Sequence, residues 1–292
     1  MLPVKKIYID SRFKTADSKS HTDFYVDLGT SFFMPQGTSY YVDDVNIPNS
    51  WYSIEQGMNN KMYFRYKLAL DLGGERDVLI SLPSDVYNGE SFRNIIDVLL
   101  NAAAAVGGDT THAFTVVYEE NRNRISITSP YVEYFKILTD TDLRNPATNW
   151  GYNNANSGMP LVSAPDVHNL GSMNEVIKNY GNSGSYNAYN LYYTGFLDFL
   201  RYNNIYISSS IGESQTLGPH GQMTIIRKVP ITAGNGFVVN DRVVGKHDIL
   251  SCNKVSLRTL DFRFHDAWGN TINLNGCHVS FSLVFTSIKE DQ

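Results

Sequence analysis

The chain has 292 residues, of which 42% are hydrophobic, 18% charged and 13% aromatic, and its formal net charge is −5. That length holds one large domain or two smaller ones, and the acidic balance argues against a nucleic-acid binder, which needs a basic face. Charge is below the usual share of about 25%, while nineteen Tyr and fifteen Phe favour sheets, where flat rings pack across strands.

From the N-terminus, Ile7-Tyr8-Ile9 reads as a short strand, followed by a polar stretch from Asp10 to Asp23. The basic cluster Lys5, Lys6, Arg12, Lys14 and Lys19 lies here; a solvated segment accounts for it better than a nucleic-acid arm. Phe24, Val26 and Leu28 alternate as a second strand. Tyr40, Val42, Val45 and Ile47 form a third, ended by Pro48. Tyr63 to Leu72 and Val78 to Leu82 predict a hairpin across Gly73-Gly74. Phe92, Ile95, Ile96, Leu99, Leu100 and Ala103 then recur on one stripe of an α-helix, with Asn88 as N-cap and Gly107-Gly108 as stop. Phe114 to Tyr118 and Arg124 to Thr128 predict another hairpin, and Tyr134 to Leu138 a further strand.

Residues Asn145 to Tyr193 are rich in Asn, Gly, Ser, Tyr and Pro and have little periodicity. A loop of that length is uncommon unless functional or anchored, and its tyrosines suit anchoring. Met173 to Tyr180 is a candidate short helix. The strand signal returns at Ile205 to Ser209, Met223 to Val229 and Phe237 to Val239, the last extended through Asp241 to Gly245. Gly234-Asn235-Gly236 reads as a turn between strands.

The closing stretch, Val255 to Ile288, carries the clearest pattern. Leu260, Phe262 and Phe264 share one parity; Ile272 and Leu274 form a second run; Val279, Phe281, Leu283 and Phe285 form a third. Val255 and Leu257 have the opposite parity to Leu260, which predicts a bulge near Arg258-Thr259. Asn275-Gly276 predicts a tight hairpin turn. The expectation is an antiparallel β-meander whose strands can pair with those at the start of the chain. Strands at both ends around an α+β block fit a Greek-key or jelly-roll sandwich, with the middle inserted between its strands.

Tests for chemistry return little. His21, His112, His168, His220, His247, His265 and His278 are scattered, and there is no C-x-x-C or H-E-x-x-H zinc pattern. In His247-Asp248 and His265-Asp266 the partners are adjacent, so on a strand they point to opposite faces. There is no G-x-S-x-G elbow and no phosphate-binding glycine pattern. Asp43-Asp44 and Glu119-Glu120 read as surface turn carboxylates; Asp140 and Asp142 have a calcium-loop spacing without its glycine and terminal Glu. The expectation is no catalytic, cofactor or metal residue, and no enzyme. Trp51, Trp150 and Trp268 sit beside turns, either folded over a sheet edge, the reading preferred for Trp51, or displayed to a partner. Cys252 and Cys277 are too few for a disulfide framework; one bridge between them is open, and free buried thiols are the preferred reading. With no signal segment, no apolar run near 18 residues and no N-x-S/T site, synthesis in a reducing, non-secretory compartment is expected.

Several stretches together resemble one family. IPNSWYSIEQGMNNKMYF (Ile47 to Phe64), ISLPSDVYNGESFRNIIDVLLN (Ile80 to Asn101), LDFLRYNNIYISSSIG, GPHGQMTIIRKVPI and DILSCNKVSLRTLDFRFHDAWGNTINLNGCHVSFSLVF are similar, in order, to segments of the minor capsid (penton) proteins of virophages, Polinton-type elements and related double-stranded DNA viruses. The likeness spans most of the chain except the Asn145 to Tyr193 loop. It implies a mainly β chain: a jelly-roll β-sandwich from residues 1–58 and 191–292, with an inserted α+β module at 59–190 that can project outward. It further implies a vertex capsomer of an icosahedral capsid, located in the virion and assembled inside the host cell. Its implied partners are four further copies of itself in a homopentamer, the major capsid protein and other minor capsid proteins, with a host receptor or glycan as an additional partner; no membrane insertion is expected, and the acidic balance disfavours nucleic-acid contact. A carbohydrate- or receptor-binding β-sandwich is the alternative, carried by the loop tryptophans and tyrosines; a glycoside hydrolase would need two carboxylates about 5–10 Å apart across a cleft.

Overall fold

The computed structural model describes residues 4–69, 74–105, 114–150, 170–179, 191–212, 216–242, 244–252, 254 and 256–287. The chain divides into two units, Met1–Trp51 with Tyr202–Gln292, and Tyr52–Arg201. In chain order the first unit opens with β1 (Lys5–Asp10), β2 (Asp23–Phe33) and β3 (Thr38–Pro48). The second holds β4 (Lys61–Leu68), β5 (Glu75–Ser81), α1 (Gly89–Ala105), β6 (Thr115–Glu119), β7 (Arg124–Thr128), β8 (Val132–Ile137), α2 (Asp140–Arg144) and β9 (Leu191–Tyr193). The first unit then resumes with β10 (Asn204–Ser208), β11 (Ile225–Pro230), β12 (Val238–Asp241), the short β13 (Leu250–Ser251), β14 (Ser256–His265) and β15 (Ser280–Ser287).

The first unit is a jelly roll. One sheet runs β1-β15-β3-β12, with β13 also on β3; the other runs β11-β10-β14-β2. Setting β13 aside, the first strand of this unit pairs with the eighth, the second with the seventh, the third with the sixth and the fourth with the fifth, all antiparallel. That is a long antiparallel ribbon rolled into two sheets, the double Greek key of a jelly roll. The roll follows from alternation: Phe24 and Val26, Val42, Val45 and Ile47, Leu260, Phe262 and Phe264, and Phe281, Leu283 and Phe285 all turn inward and are buried in one core. The Phe281 ring lies edge-on to Phe262 at 4.8 Å between centroids, linking the two sheets.

The closing segment corrects one expectation. β14 and β15 do not form a meander; they lie in different sheets, β14 between β2 and β10, β15 between β1 and β3. The run around Ile272 and Leu274 contributes buried core side chains but only an isolated bridge, Thr271 to His265. Asn275-Gly276 does form a tight turn, with φ of 49° and 85° and Cys277 N–H donating to the Leu274 carbonyl, but it turns the chain from one sheet to the other. Alternation fixes which face is buried; it does not name the neighbouring strand. The register shift between Leu257 and Thr259 falls at the expected bulge.

The second unit has two three-stranded sheets, β5-β4-β8 and β6-β7-β9, around a core that includes the α1 stripe Phe92, Ile96 and Leu100. Asn88 caps the helix, its Oδ1 accepting from Ser91 N–H. The boundaries lie at Trp51/Tyr52 and Arg201/Tyr202, several residues from 58/59 and 190/191, because Ile54, Leu197 and Phe199 pack into this second core although their segments lack alternation. Leu191–Tyr193, expected within a loop, is β9 and pairs with β7. Met173 to Asn179 forms hydrogen-bonded turns, not a helix: the Met173 carbonyl accepts from both Val176 and Ile177 N–H, and Lys178 sits at φ 49°. Of the Gly73-Gly74 turn, Gly73 lies outside the described residues. So do Gly107-Gly108, His112, His168 and most of the Asn145 to Tyr193 loop.

Candidate functional surfaces

The jelly roll has two open sides where sheet edges meet. β1 and β2 flank one side, with Lys5 Nζ 3.7 Å from the centre of the Phe32 ring. β11 and β12 flank the other, joined by the Arg227–Asp241 ion pair at 2.7 Å. Both sides carry exposed apolar side chains: Tyr8, Phe13 and Phe33 on the first, Phe237, Val238 and Met223 on the second. Unpaired edges with exposed large hydrophobics are usually blunted, so these two sides are candidate interaction surfaces.

Three of the five residues of the basic cluster, Lys6, Arg12 and Lys19, are matched by carboxylates. Arg12 binds Asp10 at 2.6 Å and Lys19 approaches Asp23 at 3.4 Å. Lys6 reaches both Asp43 at 2.5 Å and Asp44 at 3.8 Å. Adjacent strand residues point apart, but here β3 carries an extra residue opposite β15, between the pairs Val42↔Leu283 and Val45↔Phe281. That bulge turns both carboxylates toward one ammonium. The hydrogen bond from Arg12 holds the Asp10 carboxyl below its ordinary range, and the one to Asp43 raises Lys6.

The outer face of the second sheet holds a polar pocket of about 220 Å³. Its floor is His265, 2% exposed, stacked on Tyr206 at 5.9 Å. His265 Nδ1 lies 2.8 Å from the Asp266 carbonyl, which can only accept, so Nδ1 carries the proton and Nε2 accepts from Ser208 Oγ at 2.7 Å. Burial pulls the His265 pKa down. Ser208, Ser210, Asp261 and Arg263 line the pocket because they share the outward parity of β10 and β14. The Ser208–His265 contact was invisible in the sequence, since 57 positions separate the two; only the register of β10 on β14 brings them together.

Beside this pocket the β14–β15 connection is pinned by one buried carboxylate. Asp266 Oδ1 accepts from Trp268 N–H at 2.9 Å and Asn270 N–H at 2.8 Å, and Oδ2 accepts from Asn270 Nδ2 at 3.1 Å. Gly269 takes φ 89°, a left-handed conformation open to glycine. The turn holds Trp268 71% exposed. The other tryptophans are packed: Trp51 edge-on to Tyr202 at 5.4 Å, Trp150 edge-on to Tyr63 at 5.1 Å.

The other carboxylates named above take part in ion pairs, caps and turns. Glu119 binds Arg124 at 2.8 Å, and Glu120 opens a single 3₁₀ turn. Asp142 closes a capping box with Thr139 and pairs with Lys136 at 2.9 Å. Burial raises its pKa, but the hydrogen bonds from Lys136 and Thr139 outweigh this and hold it low. Asp140 accepts from Ser172 and Asn174. Asp248 pairs with Arg227 at 2.8 Å. Among the described residues no three His, Cys, Asp or Glu side chains are grouped to hold a metal, and Cys252 and Cys277 are both free thiols. No helix among them is long and apolar enough to cross a membrane.

No protein-family model matches the chain, and no curated protein matches it in sequence. Among solved structures it is similar to the crystal structure of the mavirus penton protein, with a TM-score of 0.53 and 11% sequence identity over 97% of this chain and 100% of that one. At that identity the likeness is one of fold: a penton-like jelly roll.

Proposed function

We propose that the chain is a structural virion protein, a penton capsomer that closes the fivefold vertices of an icosahedral capsid as a homopentamer and contacts the major capsid protein. The observation that carries this reading is the end-to-end likeness to the mavirus penton protein, covering the whole of that chain. A ring needs two different, mutually fitting faces on each subunit. The apolar edges β1/β2 and β11/β12, on opposite sides of one sandwich, supply a pair of candidates. The function is then binding and geometry, without bond chemistry, and the protein resides in the capsid.

Native mass spectrometry and negative-stain imaging of the purified protein test it. Five-subunit rings are expected. A monomer at all concentrations, with no ring formed beside the shell protein, overturns the reading.

A further inference from the structure

We infer that the Trp268 turn and the polar pocket beside it form a binding site for an uncharged hexose-type sugar. The inference stands on the site itself and does not rest on the vertex reading.

Trp268 is displayed by construction. Its indole is 71% exposed while the carboxylate that fixes its turn, Asp266, is 7% exposed and takes hydrogen bonds from Trp268 N–H, Asn270 N–H and Asn270 Nδ2. A rigid turn that leaves a large aromatic in water forgoes the burial that Trp51 obtains in the same unit; the hydrophobic penalty of exposure is recovered only when a partner covers the ring. Arg263 braces the same turn, donating from a terminal nitrogen to the Gly269 carbonyl at 2.7 Å and from Nε to Thr271 Oγ1 at 3.1 Å.

The next residue, Gly269, lines the pocket with Ser208, Ser210, Gln222, Asp261 and Arg263. At about 220 Å³ it is smaller than drug-sized sites of roughly 300–1,000 Å³, which limits it to a group the size of a single sugar ring. Its lining side chains carry polar groups on aliphatic stems, and several are held in place. Asp261 accepts from Ser210 N–H at 3.2 Å and from the Ser210 hydroxyl; Ser208 donates to the buried His265, so its oxygen still offers lone pairs. Fixed donors and acceptors beside an exposed flat ring match a molecule with both a hydroxyl edge and a C–H face. The charges favour an uncharged one: the lining holds one carboxylate, Asp261, and one guanidinium, Arg263, so it carries no net charge to select an acidic or basic sugar. One residue ties the parts together, since Asp266 anchors the Trp268 turn by its carboxylate and sets the His265 tautomer by its carbonyl. Such preorganisation lowers the ordering cost of a weak, polar ligand.

The test is a glycan array probed with the labelled full chain, followed by titration of tryptophan emission with methyl hexosides. Expected are signals on glycans ending in neutral hexoses and a hexoside-dependent change in emission, with Trp268→Ala reducing both at least about tenfold, Asp261→Asn weakening them, and the melting temperature of Trp268→Ala unchanged because the ring is exposed. The proposal is overturned by an array without neutral-hexose signals, by equal binding of Trp268→Ala and the native chain, or by a Trp268→Ala protein that shows no glycan effect but loses oligomers, which makes the indole a subunit anchor. Rings without glycan binding sink this proposal alone; glycan binding by a strict monomer sinks the vertex reading alone.

Discussion

Phe281→Ala should remove a large part of the stability of the jelly roll. Phe281 is 2% exposed on β15, and its ring touches Phe262 at 4.8 Å and Phe264 at 5.7 Å on β14, which in turn pack on Phe24 of β2 at 5.6 and 6.3 Å. The substitution therefore empties a site between the two sheets. A buried Phe→Ala change costs about 3–5 kcal/mol, of which each lost ring pair accounts for about 0.5–1.5 kcal/mol. The upper half applies here, because the surrounding rings stand on strands held by ladders on both sides and cannot collapse into the space. Against a total of about 5–15 kcal/mol that is a large fraction. With a urea slope of about 2 kcal/mol/M, the midpoint falls by about 2 M. The assay is urea unfolding followed by Trp51, which is 6% exposed against Tyr202 and so reports this unit, in a Trp150→Phe, Trp268→Phe background. A shift below about 0.5 M would mean that the inter-sheet rings do not carry the packing and would refute the reasoning.

The remaining predictions concern charge, connectivity and the inserted unit. Burial depresses His265 below its ordinary 6.5, so as pH falls the unfolded chain takes the proton first; stability is full above about 6.5 and declines below it toward the folded-state value. Urea midpoints at pH 7.5 and 5.5 should show that decline, and His265→Gln should lack part of it; equal slopes in both proteins would sink the assignment. Arg227→Met removes the ion pairs to Asp241, 9% exposed, and to Asp248 and should cost about 3–5 kcal/mol, read by the same Trp51 transition. Deleting Ser280 to Gln292 removes β15 from between β1 and β3 and should abolish the cooperative transition; a truncated chain that still unfolds sharply contradicts the strand order. Replacing residues 53–200 by a short Gly-Ser linker should leave a folded jelly roll with Trp51 still shielded, and an unfolded product by circular dichroism would mean that the roll does not hold its own cut ends together.

The fold was legible where one side chain's environment repeats at a fixed period. The stripe Phe92, Ile96, Leu100 and the alternation of Leu260, Phe262 and Phe264 each report a buried face, and the parity slip before Leu260 located the bulge. Partner choice was not legible for the closing strands, because β14 and β15 have the same pattern whether they pair together or lie in separate sheets. Ile272 and Leu274 alternate like a strand because they cap the core, not because they join a ladder. Of the candidate surface residues, Trp268 stood out by its loop position, but so did Trp150, and only packing on Tyr63 separates them. The Ser208–His265 contact depends on register between strands far apart in the chain, information that no local pattern contains.

The insertion point explains how one chain can hold a second module inside an eight-stranded roll. The chain leaves after β3 and returns before β10, and both stubs are gripped by the segment between β11 and β12. Asn49 N–H donates to the Phe237 carbonyl at 2.8 Å, its carbonyl accepts from Gly236 N–H at 2.8 Å, and its side-chain amide donates to the Ala233 carbonyl at 2.8 Å. On the returning stub, the Asn203 carbonyl accepts from Ile231 N–H at 3.0 Å. Trp51 and Tyr202 then meet edge-on, and Asn235 Nδ2 donates to the Trp51 carbonyl at 3.2 Å. The jelly roll thus brings its own cut ends together with its own residues. Loop-closure entropy grows only as the logarithm of loop length, about 0.6 kcal/mol per doubling, so contacts of this kind offset it for a long insertion nearly as well as for a short one. The roll can keep its strand order and both open sides while the inserted unit varies.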